Sequence, residues 1–156
     1  MKEQGSYTVA EATVKAEAYC VYQDRCHLEV TKKLKEMNMI PQAIDHILNH
    51  LIQNDFLNEE RFARNFARGK FRIKKWGKQR IVKELKYRNI SRFTIKAALS
   101  EIDPVEYQKT FEQISIKKWE SLTDKNPQQK KKKLTNYLFY RGWEADLVYE
   151  MLNRFN

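Results

Sequence analysis

Leu85-Lys86-Tyr87-Arg88-Asn89-Ile90, near the middle of a 156-residue chain, decides the fold because it occurs three times in altered form. Leu34-Lys35-Glu36-Met37-Asn38-Met39 lies 51 residues before it, and Leu138-Phe139-Tyr140-Arg141-Gly142-Trp143 lies 53 residues after it. Each copy carries a leucine, then Asn or Gly four residues on, then a large apolar residue. Asn and Gly tolerate the left-handed backbone that closes a helix C-terminus, and an apolar residue just beyond them packs back. Each copy therefore predicts a helix end and a tight turn into the next helix.

The repetition continues outward. Five residues after Met39, Ile90 and Trp143 stand Ile44, Ile95 and Val148. Ile47 with Leu48, Ala98 with Leu99, and Met151 with Leu152 follow, then Leu51, Ile102 and Phe155. This i, i+3, i+4, i+7 spacing is one apolar face of an amphipathic helix, three times over. Upstream of the aligned leucines there is room for two helices per unit. Thr13 to Tyr22 opens the first unit, Glu59 to Ala67 the second, and Tyr107 to Leu122, with Phe111, Ile114 and Trp119, the third. Cys26 and Gly77 occupy matching positions before the middle helix, and Asn126-Pro127 supplies a cap and a first-turn proline at the third start. The expected fold class is all-α: three tandem three-helix, helix-turn-helix-like repeats in an elongated, curved array. The expected boundaries are 1–57, 58–106 and 107–156, with the first few residues disordered.

Composition agrees. Four Gly and three Pro are few for a turn-rich protein, and strand-like alternation is absent over any useful length. No run approaches the roughly 18 apolar residues of a membrane span, and Met1 to Ser6 lacks an apolar signal core. Two cysteines, Cys20 and Cys26, are too few for a secreted disulfide framework. The expectation is a cytoplasmic protein, monomeric, with free thiols and no membrane partner.

The formal net charge is +10, and the middle unit carries it. Arg61, Arg64, Arg68, Lys70, Arg72, Lys74, Lys75, Lys78, Arg80, Lys83 and Lys86 form the candidate partner-binding set, continued by Arg88, Arg92 and Lys96. Glu84 is the only acid from Arg61 to Lys96. A helix surface that merely solvates itself mixes its signs; a run this one-sided favours a polyanion, either phosphates or an acidic protein surface. Glu84, four residues from both Arg80 and Arg88, fits ordinary helix-surface pairing. The block Lys130-Lys131-Lys132-Lys133 spreads around a helix and cannot all face one ligand. Phe62, Phe66, Phe71 and Trp143 fit core positions, whereas Trp76, beside the turn into the middle helix, could pack or stack on a base.

Catalytic and metal chemistry is not expected. Cys20, Cys26, His46 and His50 have the wrong spacing for the common zinc knuckle, and the repeat aligns both histidines with solvent-facing positions. No phosphate-cradling glycine loop, Ser-His-Asp set or carboxylate pair stands out, so no cofactor is expected.

Asn58-Glu59-Glu60-Arg61-Phe62-Ala63 resembles the acidic-acidic-x-Arg-Phe-Ala signature of the RecX family. Gly77-Lys78-Gln79-Arg80-Ile81-Val82-Lys83-Glu84-Leu85 and the residues through Ile90 are similar to that family's G-x-x-R-I-x-x-E-L-x-x-K-G-I segment. Cys26 to Leu34 resembles its S-x-x-E-L-x-x-K-L. The chain departs from the pattern with Cys26 for a capping Ser, Asn38 and Asn89 for glycines, and Asn58 for a common Asp. The resemblance implies a regulator without cofactor or catalysis. It implies binding in the groove of the RecA–DNA filament, on single-stranded DNA with duplex DNA as a further ligand, and modulation of RecA's ATPase and strand exchange. The rivals are a stand-alone helical DNA-binding protein with no RecA dependence and a helical scaffold for an acidic protein.

Overall fold

In a computed structural model of the chain, residues 7–155 are described, and they form nine α-helices with no strand among them. The first three are α1 (Val9–Tyr22), α2 (His27–Glu36) and α3 (Pro41–Gln53). Next come α4 (Glu59–Arg72), α5 (Lys78–Tyr87) and α6 (Arg92–Leu99). The last three are α7 (Pro104–Ser121), α8 (Pro127–Tyr140) and α9 (Ala145–Arg154). The expected disorder of the first residues lies outside the described residues.

The three aligned leucines do the same thing in each unit. Leu34, Leu85 and Leu138 accept a hydrogen bond at 3.1 Å from the N–H of Met39, Ile90 and Trp143 respectively. The residue between, Asn38, Asn89 or Gly142, has φ of 57°, 59° or 90°. This is the Schellman closure that satisfies orphan carbonyls at a helix end, and it requires the left-handed residue there. The third-helix faces are equally regular. Ile44, Ile47 and Leu51 are buried, as are Ile95, Ala98 and Ile102, and Val148 and Met151, while Leu48, Leu99 and Leu152 are half-buried.

Helix starts explain where boundaries fall outside the repeat. Asp103 accepts from the Glu106 N–H at 2.9 Å and Pro104 follows it, so α7 starts three residues before Tyr107. Thr8 and Glu11 form a reciprocal capping box, which starts α1 at Val9 rather than Thr13.

Burial divides the molecule unevenly. Ala12, Ala16, Cys20, Val30, Leu34, Ile44, Ile47, Leu51 and Leu57 form a core of the first unit's own. The second and third units share one core, joined by Tyr107, whose ring lies 4.6 Å from Trp143 and 5.7 Å from Phe71, centroid to centroid. Trp143 is fully buried, and its indole N–H donates to the Lys75 carbonyl at 3.2 Å, so the large apolar body carries no orphaned donor.

The first two middle helices each meet the following unit at their N-termini, whereas α8 is capped by its own Asn126. The α2 N–H of His27 donates to Glu59, on α4, at 3.1 Å, and Cys26 is buried within the core of the following units. In α5 the contact is closer. The Gly77 N–H donates to the Arg141 carbonyl at 2.8 Å, the Lys78 N–H to the Tyr107 hydroxyl at 2.8 Å, and the Gln79 N–H to the Gly142 carbonyl at 3.0 Å. The Tyr107 hydroxyl in turn donates to Glu144. A Cβ at Gly77 would collide with the Gly142–Trp143 backbone, and one at Gly142 with Arg80. The α5 N-terminus thus abuts the α8 C-terminus, an arrangement in which the two helix dipoles attract. This contact places α5's outer face beside the α8–α9 turn.

Candidate functional site

The structure divides the eleven sequence-predicted basic residues into three groups. Arg61, Arg64 and Arg68, one helical turn apart on α4, face acids of this same chain. The Arg61 Nε lies 2.8 Å from Asp24, its Nη1 3.1 Å from Asp55, and its Nη2 donates to the Asp55 carbonyl at 3.1 Å. The Asp24 hydrogen bond raises the Arg61 pKa further above its ordinary value. Arg64 and Arg68 reach Glu101 at 3.1 and 3.3 Å, and their hydrogen bonds hold the Glu101 carboxyl below the usual glutamate range. Asp55 is only six residues from Arg61, but Asp24 and Glu101 lie 33 to 37 residues from the arginines they meet, so a local reading of charge does not see them.

Lys70, Lys78 and Arg80 form the second group, lying over aromatic rings. The Lys70 ammonium is 5.4 Å from the Phe66 centroid and 5.0 Å from that of Trp76. Lys78 lies 4.7 Å over Tyr107. The Arg80 guanidinium is 4.1 Å from Trp76 and 4.7 Å from Tyr140, and its Nη1 donates to the Tyr140 carbonyl at 3.1 Å. Trp76 is half-buried and meets Phe66 edge-on at 6.3 Å, so it packs while presenting a face to these cations.

Arg72, Lys74, Lys75, Lys83 and Lys86 are the third group. All are exposed, and none has an ion-pair partner among the described residues. Arg72, Lys74 and Lys75 sit where α4 ends, with Lys75 at a φ of 58°. Lys83 and Lys86 project from α5. Glu84 pairs with Arg88 at 3.1 Å, the expected helix-surface pair, while Arg80 turns instead to Tyr140.

Two hollows flank the α5 ridge. One, of about 490 Å³, is lined by Gln79, Arg80, Lys83, Glu84, Phe139, Tyr140 and Gly142. The other, of about 380 Å³, is lined by Lys78, Gln79, Val82, Lys83, Lys86 and Glu144. Sequence reasoning missed Tyr140, which is 71% exposed, because its role depends on the α5–α8 contact.

The remaining sequence candidates are placed elsewhere. Lys130 lies 4.2 Å over Trp119, and Lys133 pairs with Asp124 at 2.9 Å, so the lysine block does spread around α8. His46 is exposed, as expected; His50 is half-buried and lies 2.7 Å from Glu17. No cluster of three or more metal-ligating side chains occurs among the described residues. Cys20 and Cys26 are free and buried, and burial pushes the Cys26 thiol up to about 11. No helix among the described residues is long and apolar enough to cross a membrane.

Residues 58–99 match the family model for the second three-helix domain of RecX, and residues 104–152 that for the third. A regulatory protein RecX of Clostridioides difficile (strain 630) is 27% identical over 130 residues, covering 79% of this chain and 59% of the relative. The chain thus spans less than two thirds of that protein's length. A regulatory protein RecX of Pseudomonas savastanoi pv. phaseolicola is 26% identical over 126 residues, covering 81% of this chain and 79% of the relative. The crystal structure of RecX from Lactobacillus salivarius superposes with a TM-score of 0.78 at 20% identity, covering 94% of this chain and 95% of the other. A second RecX crystal structure gives a TM-score of 0.79 at 22% identity, covering 93% and 74%.

Proposed function

Because this chain belongs to the RecX family of regulatory proteins, we propose that it binds the RecA–DNA filament in its groove and restrains RecA's ATPase and strand exchange in recombination, DNA repair and the SOS response. The observation that carries this reading is the third group of basic residues. Arg72, Lys74, Lys75, Lys83 and Lys86 are exposed cations that nothing in the described chain neutralises. A polyanion or an acidic subunit surface compensates them at the lowest cost.

The role is binding rather than catalysis. ATP hydrolysis belongs to RecA, and this chain supplies differential affinity. A protein seated across neighbouring subunits favours whichever filament state presents its contacts at the right spacing, and shifts the filament toward it. Two free thiols fit a reducing cytoplasm as the place where the protein meets this filament.

The test is RecA-catalysed ATP hydrolysis and strand exchange on single-stranded DNA, titrated with this protein. The expected result is a fall in both rates below one protein per RecA subunit. Unchanged rates with filaments saturated by bound protein would rule the reading out. The stand-alone DNA-binding reading rests on the aromatic–cation groove on α5; it requires tight DNA binding without RecA, with a log–log salt slope of about −0.9 per phosphate on duplex.

A further inference from the structure

We propose that the hollow between α5 and the α8–α9 turn is a single-stranded nucleic-acid site, in which Arg80 and Lys83 hold a phosphodiester and Tyr140 stacks an unpaired base. The site rests on the reading above, and assigns its strand contact to the junction of the second and third units.

Arg80 is preorganised. It is not a free surface cation: Trp76 and Tyr140 hold its guanidinium at 4.1 and 4.7 Å, and one N–H is fixed on the Tyr140 carbonyl. A guanidinium has five donors in a rigid fork, so the others remain for an anion without the entropy loss of ordering a long side chain. Lys83, three residues on along the same helix face, is exposed and lines both hollows. Glu84 also lines the first hollow, but Arg88 neutralises it at 3.1 Å.

The lining of the hollow selects the class of anion. An acidic protein surface is matched by cations alone, whereas this hollow sets Tyr140, 71% exposed, and Phe139, 39% exposed, beside them. A charged groove lined with exposed rings is the arrangement that takes unpaired bases, because every base has a face to stack. A volume of about 490 Å³ accommodates one base. The α5 N-terminus takes no part, since Arg141, Tyr107 and Gly142 occupy its N–H groups at Gly77, Lys78 and Gln79.

The experiment measures binding of the full chain to fluorescent oligothymidylate and to an abasic strand of equal length, without RecA, beside the RecA ATPase assay. Wild type is expected to prefer the thymidylate strand by at least about fivefold, the lower end for one stacked base. Tyr140→Ala should erase that preference, Tyr140→Phe should keep it, and Lys83→Glu should weaken both strands together. Because the Tyr140 side chain is largely exposed, melting temperatures should remain those of wild type, which separates lost binding from lost folding. Equal affinity of wild type for the two strands, or an undiminished preference in Tyr140→Ala, would overturn the site even if RecA is inhibited. So would a Lys83→Glu variant that loses RecA inhibition yet binds both strands normally, since an acidic protein would then fill the hollow. The expected strand preference with no effect on RecA would uphold the site and refute the filament reading.

Discussion

Arg61 stands in the most distinctive stretch of the sequence, yet its guanidinium is turned inward on Asp24 and Asp55 and ties the second unit to the first. Its charge therefore serves cohesion. Replacing it by alanine strands two carboxylates and is expected to lower stability by about 1–2 kcal/mol, discounted for partial exposure, as read by the urea midpoint. Affinity for filament should change little at temperatures where the variant is folded. Glu101 carries a pH signature: its carboxyl pKa is depressed by hydrogen bonds from Arg64 and Arg68, so this stabilisation is full above the ordinary glutamate range and is lost as pH falls through the folded value. Cys26 runs the other way. Its pKa is raised to about 11, so its contribution is full below the ordinary thiol value of about 8.5 and fades as pH rises toward 11. At pH 8 only about a thousandth of Cys26 is thiolate, and an aromatic disulfide reagent should leave it unmodified until the protein unfolds. At this scale the sequence was legible as a list of charges and not as pairs. Which cation is spent internally depends on Asp24 and Glu101, and only folding brings these to α4.

Helices and turns were the most legible level, because their signals are local. The leucine, the Asn or Gly four residues on, and the apolar residue after it encode a complete Schellman closure, and all three copies form it. Helix starts were less legible where a cap lies upstream of the apolar pattern, as at Thr8. The head-to-tail contact of α5 with α8 was hidden, since Gly77, the residue that precedes α5 as expected, is also a point of closest approach to the Gly142 backbone. Two glycines separate these meanings. Gly77→Ala forces its methyl into the Gly142 backbone and is expected to destabilise by about 1–3 kcal/mol or more. Gly69, inside α4 with open space where a Cβ would go, should tolerate alanine and gain roughly 0.5–1 kcal/mol in helix preference. Thermal unfolding of the two variants checks both signs.

Taken whole, the chain is a repeat whose members are not equally joined. The second and third units share one core through Tyr107 and Trp143, while the first keeps a smaller core and leans on the second through Arg61, Glu59 and the buried Cys26. Native-state hydrogen exchange should therefore show α5 and α8 opening at one common free energy and the first unit opening separately at a lower one. The repeat was visible in sequence; the unequal coupling was not, because the residues that create it, such as Tyr107 and Gly142, look like ordinary members of their own units. The functional consequence is a division of the basic run. Arg64 and Arg68 on α4 are neutralised within the chain, and Lys83 and Lys86 on α5 face outward without partners.

The most direct test of that division is the affinity for preformed RecA–single-stranded-DNA filaments, measured for wild type, Lys83→Glu/Lys86→Glu and Arg64→Ala/Arg68→Ala. The α5 variant should keep its melting temperature and lose at least about tenfold in affinity, and the α4 variant should lose stability while binding like wild type. The reverse pattern, binding lost with the α4 pair and retained with the α5 pair, would contradict the account.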